Sequence, residues 1–145
     1  MNPHQNPFAG NTPQDVTERQ GENAIFIVYG LNQSPDAVDK VKDVCTNFSA
    51  LIRSMRNRFP DAQFSSTISF SANVWDRIFP GKGKPKELET FKEIRGSKYT
   101  AVSTPGDILF HIRARKMGLC YEFASIIDEK LKGAVEAIDE THGFR

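Results

Sequence analysis

Few residues in this chain are of types that do acid–base, nucleophilic or metal chemistry, and their spacing decides what they can do. There are three histidines, His4, His111 and His142. By residue type alone His111 could titrate near neutral pH or bind a metal. No cysteine, aspartate or second histidine stands at ligand spacing from it, so the pattern favours a hydrogen-bonded structural histidine. Among the acids, Glu87 and Glu89, and later Asp139 and Glu140, are paired only by adjacency in the sequence. Adjacent residues on a strand point to opposite faces, so Asp139 and Glu140 make no catalytic carboxylate pair. Gly81-Lys82-Gly83-Lys84 invites a phosphate-loop reading, but it lacks the closing Lys-Ser/Thr and the strand-to-helix setting. Lys82, Lys84 and Lys86 read instead as a solvated loop tip. Cys45 and Cys120 fall in predicted helices on or near apolar faces and read as buried free thiols. No serine sits in a nucleophile elbow and no glycine-rich fingerprint follows a strand. From these residues alone no catalytic, cofactor-binding or metal site is expected.

The elements that would position them are organised around Ser103–Ala114. Pro105-Gly106 signals a turn in which glycine supplies positive φ. Asp107-Ile108-Leu109-Phe110-His111-Ile112-Arg113 is apolar, aromatic and β-branched, as suits a buried central strand. Ile108, Phe110 and Ile112 share one face, with Leu109, His111 and Arg113 on the other. Upstream, Asn23 to Gly30 is apolar at both parities, so both faces of that strand need cover. Ser34-Pro35-Asp36 starts a helix, with Ser34 as cap, that runs to Phe59 on a stripe of Val38, Val41, Cys45, Phe48, Ile52 and Met55. Gln63 to Phe70 alternates like a half-buried strand. A long connection, 71–105, carries a helical turn over Asn73–Phe79 anchored by Trp75; its length suggests that it lies against a neighbour. A helix over Lys116–Leu131 buries Met117, Tyr121, Ala124, Ile127 and Leu131, and Lys132-Gly133 ends it. Ala134 to Thr141 is a last strand.

This order is βαββαβ, so the expected class is α+β: a ferredoxin-like four-stranded antiparallel sheet with two helices on one face. The open face keeps apolar residues, which points to a partner or a second domain. Residues 1–22, with Pro3, Pro7 and Pro13, are expected to be a flexible arm, and 23–145 the folded domain. The 145-residue chain has 39% hydrophobic and 26% charged residues and a net charge of +1, which gives no bulk attraction to nucleic acid or anionic membranes. The third strand does not match the RNA-binding aromatic pattern either. The N-terminus lacks a basic start followed by an apolar run, so a cytoplasmic location and no membrane insertion are expected.

Three blocks carry a resemblance: Asn73-Val74-Trp75-Asp76-Arg77-Ile78-Phe79, Thr104-Pro105-Gly106-Asp107-Ile108-Leu109-Phe110-His111-Ile112-Arg113-Ala114, and Asp139-Glu140-Thr141-His142-Gly143-Phe144-Arg145. Together, over residues 23–145, they resemble the N-terminal half of a bacterial dye-decolourising (DyP-type) haem peroxidase. The resemblance implies two ferredoxin-like halves, with haem held mainly by the second, and peroxide-driven oxidation of dyes and other aromatic donors. It also implies a distal aspartate in a GxxDG motif, a downstream arginine and a proximal histidine, none of which has a counterpart here. His111 and His142 match the N-terminal half's own pattern, not the iron ligand. Haem is therefore expected in the parent protein only. The partners expected are the missing C-terminal half and further copies in a homo-oligomer. A second expectation is a stand-alone module that self-associates through its open sheet face.

Overall fold

The computed structural model describes residues 13–19 and 21–145. Its elements are strand β1 (Asn23–Leu31), helix α1 (Ala37–Arg58), strand β2 (Ser65–Phe70), helix α2 (Ala72–Ile78), a hairpin of β3 (Ile94–Arg95) and β4 (Thr100–Ala101), strand β5 (Ile108–Ala114), helix α3 (Met117–Leu131) and strand β6 (Val135–Phe144). The main sheet has the order β2-β5-β1-β6 with every neighbour antiparallel. This is the expected ferredoxin-like βαββαβ arrangement, with α2 and the hairpin inserted between β2 and β5.

Strand alternation builds the core. Ile25, Ile27, Tyr29 and Leu31 of β1 and Ile108, Phe110, Ile112 and Ala114 of β5 are buried on the helix side. Ile68 pairs with Phe110, whose ring meets Tyr29 edge-on at 6.0 Å and Phe48 of α1 at 5.9 Å. Helix α1 lays Val41, Val44, Phe48 and Met55 on this layer, while Cys45 and Ile52 sit half-buried at its margin.

Ser34 does not cap α1. The helix begins after Asp36 without a side-chain cap, and the Ser34 hydroxyl donates to Asn32 Oδ1 at 2.7 Å. A nearer acceptor on the incoming loop takes the hydroxyl away from the helix. In α3 the buried stripe is Cys120, Phe123, Ala124, Ile127 and Leu131, and Tyr121 is 65% exposed. The phenol keeps its hydroxyl in water, and Phe123 takes the core position against Phe64 at 4.9 Å. Gly133 ends α3 with φ of 77°. Gly106, by contrast, needs no positive φ; a Cβ there would sit 2.4 Å from Val28 Cγ1, so glycine serves close packing of the turn on β1.

Helix α2 is anchored as expected, by a cluster in which Phe79 meets Trp75 at 4.8 Å and Phe70 at 5.0 Å. Strand β6 is longer than expected, reaching Phe144, and its register against β1 shifts between Val28 and Tyr29, leaving Ile138 bulged. Residues 1–12 of the arm lie outside the described residues. Residues 13–19, expected to be flexible, make contacts with the sheet and with α1: Gln14 bonds to Ile68 of β2 and Asp15 pairs with Arg56 of α1. Proline marks loss of regular structure there without loss of contacts. No helix among the described residues is long and apolar enough to cross a membrane.

Candidate functional site

The side of the sheet turned away from α1 and α3 is the candidate site. Register sets its composition, since cross-strand partners share a face: Phe26 with His111, Val28 with Leu109, and Ala24 with Arg113. The Phe26 and His111 rings stack with centroids 4.2 Å apart and planes 16° from parallel. Phe26, Val28, Leu109 and His111 are all half-buried, so an apolar band crosses the two central strands without helix cover.

The band is bounded by polar groups. Arg113, 6% exposed, donates from Nη2 to the Asp15 carbonyl at 2.8 Å and from Nη1 to the Glu18 carbonyl at 3.2 Å. Burial, helped by the Arg113 charge, holds the His111 imidazole below its usual pKa. Its neutral form is thereby favoured, and it stacks on Phe26 without carrying charge into an apolar surface. A depression of about 260 Å³ lined by Asn23, Phe26, His111, Arg113 and Phe144 lies at one end of the band.

Asp107 fixes the turn that leads into β5. Its amide donates to the Tyr29 carbonyl at 2.9 Å, its Oδ2 accepts from Leu31 N–H at 2.8 Å, and its carbonyl accepts from Ser71 N–H at 2.9 Å. One residue thus ties β1, the start of β5 and the entry to α2. A second apolar surface lies on the inserted connection, where Phe91, Ile94, Tyr99 and Val102 are all more than half exposed.

The remaining candidates disperse. His142 faces Glu140, two residues away on β6, with Nε2 2.5 Å from Oε1. Asp139 pairs with Val28 and Glu140 with Ile27, so the two acids point to opposite sides of the sheet. Glu87 and Glu89 are exposed on the connection, as are Lys82 and Lys86, and Lys84 pairs with Asp76 at 2.9 Å. Cys45 and Cys120 are free thiols, and burial pushes each up to about 11. His4 lies outside the described residues. Among the described residues no three His, Cys, Asp or Glu side chains converge as a metal site.

These residues do not fit a haem. The His111 ring lies flat against Phe26 within the sheet, His142 Nε2 is taken by Glu140 of the same strand, and the depression beside His111 is small and lined by Arg113. An axial ligand needs a ring nitrogen aimed into an apolar slot wide enough for the porphyrin. What the face can do is pack: it offers flat aromatic and aliphatic surface, with Arg113 held by backbone carbonyls and Asp139 at its β6 edge accepting from the Thr141 hydroxyl.

A family model described as "Dyp-type peroxidase, N-terminal" matches residues 13–145. The chain belongs to this family. The DyP match begins at Pro13 and so takes in the tied segment 13–19, ten residues before the expected domain start. A dye-decolorizing peroxidase of Rhodococcus erythropolis is 41% identical over 133 residues, covering 92% of this chain and 38% of that protein. The crystal structure of a dye-decolorizing peroxidase from Bacteroides thetaiotaomicron is 75% identical with a TM-score of 0.90, over 95% of this chain and 45% of that one. A variant of DypB from Rhodococcus jostii, solved in complex with heme, is 32% identical with a TM-score of 0.84, over 92% of this chain and 43% of that one. The chain thus spans about two-fifths of the length of these peroxidases.

Sequence reasoning found the His111 strand and both its faces but missed Gln14, Asp15 and the role of Arg113. The signal for the last was present: an arginine on the same face as a leucine and a histidine, in an apolar strand, needs carbonyl partners.

Proposed function

We propose that this chain is the N-terminal ferredoxin-like half of a DyP-type haem peroxidase that uses hydrogen peroxide to oxidise dyes and other aromatic donors. The observation that carries the reading is the 75% identity to a dye-decolorizing peroxidase over nearly the whole chain, of which it spans less than half. In this reading the arm 1–22 leads into the domain 23–145, and the chain is a scaffold. Its apolar band of Phe26, Val28 and Leu109 packs against the C-terminal half, which supplies the iron ligand and the distal groups. No residue of this chain is assigned a catalytic, cofactor-binding or metal role. The parent works in the cytoplasm as a homo-oligomer, without nucleic acid or membrane partners.

The test is complementation. The chain alone, titrated with hemin, gives no Soret band of coordinated haem and no peroxide-dependent dye bleaching. Mixing it with the separately produced C-terminal portion of the Bacteroides relative restores both. A stoichiometric haem complex with turnover from the chain alone would defeat the proposal.

The uncovered band also supports a second reading, a stand-alone module that dimerises through its open face. Sedimentation separates the two: a face-to-face dimer that the added C-terminal portion does not dissociate favours the module.

A further inference from the structure

The two edges of the main sheet are treated differently. Strand β6 carries Glu136, Asp139, Glu140 and His142 along its exposed length, and edge charge of this kind discourages pairing with another strand. Strand β2, the opposite edge, has no such protection. From Ala62 to Trp75 the sequence contains no charged residue, and Ser65–Phe70 is rich in β-formers without proline.

What covers β2 is the segment 13–19. The side-chain amide of Gln14 acts as a surrogate peptide group. Its Nε2 donates to the Ile68 carbonyl at 3.0 Å and its Oε1 accepts from Ile68 N–H at 2.7 Å, so both outward backbone groups of Ile68 are satisfied. The segment is then locked on both sides of the sheet. On the helix side Asp15 meets Arg56 at 2.8 Å, and Arg56 Nε also donates to the Phe64 carbonyl. On the open side Arg113 holds the carbonyls of Asp15 and Glu18. Gly21 then passes so close to β5 that a Cβ would lie 2.7 Å from the Ala114 carbonyl oxygen.

We propose that the outer edge of β2 is a strand-docking site that residues 13–19 occupy in cis as a strap, and that with the strap lifted it pairs with the same edge of a second copy. An antiparallel pair about a two-fold axis places β2 against itself, and an uncharged strand meets no like-charge repulsion in that arrangement. The strap therefore does for β2 what charge does for β6.

The experiment uses the full 145-residue chain. Gln14→Ala combined with Asp15→Ala removes the strap's side-chain contacts to β2 and Arg56 and leaves it held by the Arg113 bonds to its carbonyls, which loosens it over the β2 edge. Ile68 amide hydrogen exchange is expected to rise on the order of tenfold, the loss of one hydrogen bond. Sedimentation velocity is expected to show association beyond that of the unsubstituted chain. Adding Ser69→Lys, an exposed position on β2, is expected to remove the added association, since a lysine blocks the edge but not other surfaces. Gln14→Glu, a smaller change, turns the donor into an acceptor facing the Ile68 carbonyl and is expected to raise the exchange as well. Circular dichroism and Trp75 emission check that each variant is folded. Unchanged Ile68 exchange in folded variants, absence of added association, or added association that persists with Ser69→Lys each overturns the proposal.

Discussion

Asp107→Ala isolates a single backbone–carboxylate contact. The Asp107 carboxylate accepts from Leu31 N–H at 2.8 Å, at the end of β1 where β5 no longer supplies a partner. Leu31 is 6% exposed, so water does not readily replace the lost acceptor. A hydrogen bond to a charged group contributes about 1.5–3 kcal/mol, and leaving the buried donor unpaired costs the upper part of that range. The expected destabilisation is therefore about 2–3 kcal/mol. With a urea slope of about 2 kcal/mol/M for a domain of this size, the midpoint drops by about 1–1.5 M. Trp75 emission, within the Phe70–Phe79 cluster that the Ser71–Asp107 bond steadies, reports the transition. Asp107→Asn keeps an acceptor and is expected to lose less than half as much. Should the alanine variant unfold within about 0.5 kcal/mol of the parent, or asparagine prove as damaging as alanine, the acceptor role is refuted.

Three further outcomes follow from other contacts. His111 has a folded pKa below its unfolded value, so the stability gained by holding it neutral is complete above the unfolded value and is lost as pH falls through the folded one. Melting temperatures are therefore expected to decline below about pH 6.5, and His111→Asn to flatten part of that decline. Gly106→Ala forces a methyl against Val28 Cγ1, a stiff β-branched neighbour, and is expected to cost about 1–3 kcal/mol by urea titration. With both thiols pushed up to about 11, Cys45 and Cys120 are expected to react slowly with a disulfide reagent at mild alkaline pH and promptly in denaturant.

The periodic elements were legible in the sequence because their buried residues repeat at the strand or helix period. Ile108, Phe110 and Ile112 alternate with Leu109, His111 and Arg113, and the structure places those sets on opposite faces. In α3 the expected stripe put Tyr121 inside, and the structure buries Cys120 and Phe123 instead. Tyr121 and Phe123 both fit a helix, and the preference of a phenol for water decided between them. The β3–β4 hairpin was not legible, because its paired residues are exposed and leave no alternating pattern. Nor was the Gln14–Ile68 contact, which joins residues 54 apart through a side chain that mimics a backbone group. The open band could be inferred from the two apolar parities of β1, whereas its boundary depended on Arg113 finding carbonyls on a distant segment.

The bulge at Ile138 resets the phase of β6. Beyond it Val135, half-buried, sits opposite Leu31 on the core side, while Glu136 sits opposite Gly30. Continued in the register that pairs Val28 with Asp139, the same strand would instead turn Glu136 inward beside Leu31. Flattening the bulge with Ile138 kept in the ladder therefore amounts to inserting a carboxylate into the hydrocarbon interior, whereas deleting Ile138 keeps Glu136 opposite Gly30 and Val135 opposite Leu31, so this stretch should tolerate loss of that one residue better than loss of the bulge around it.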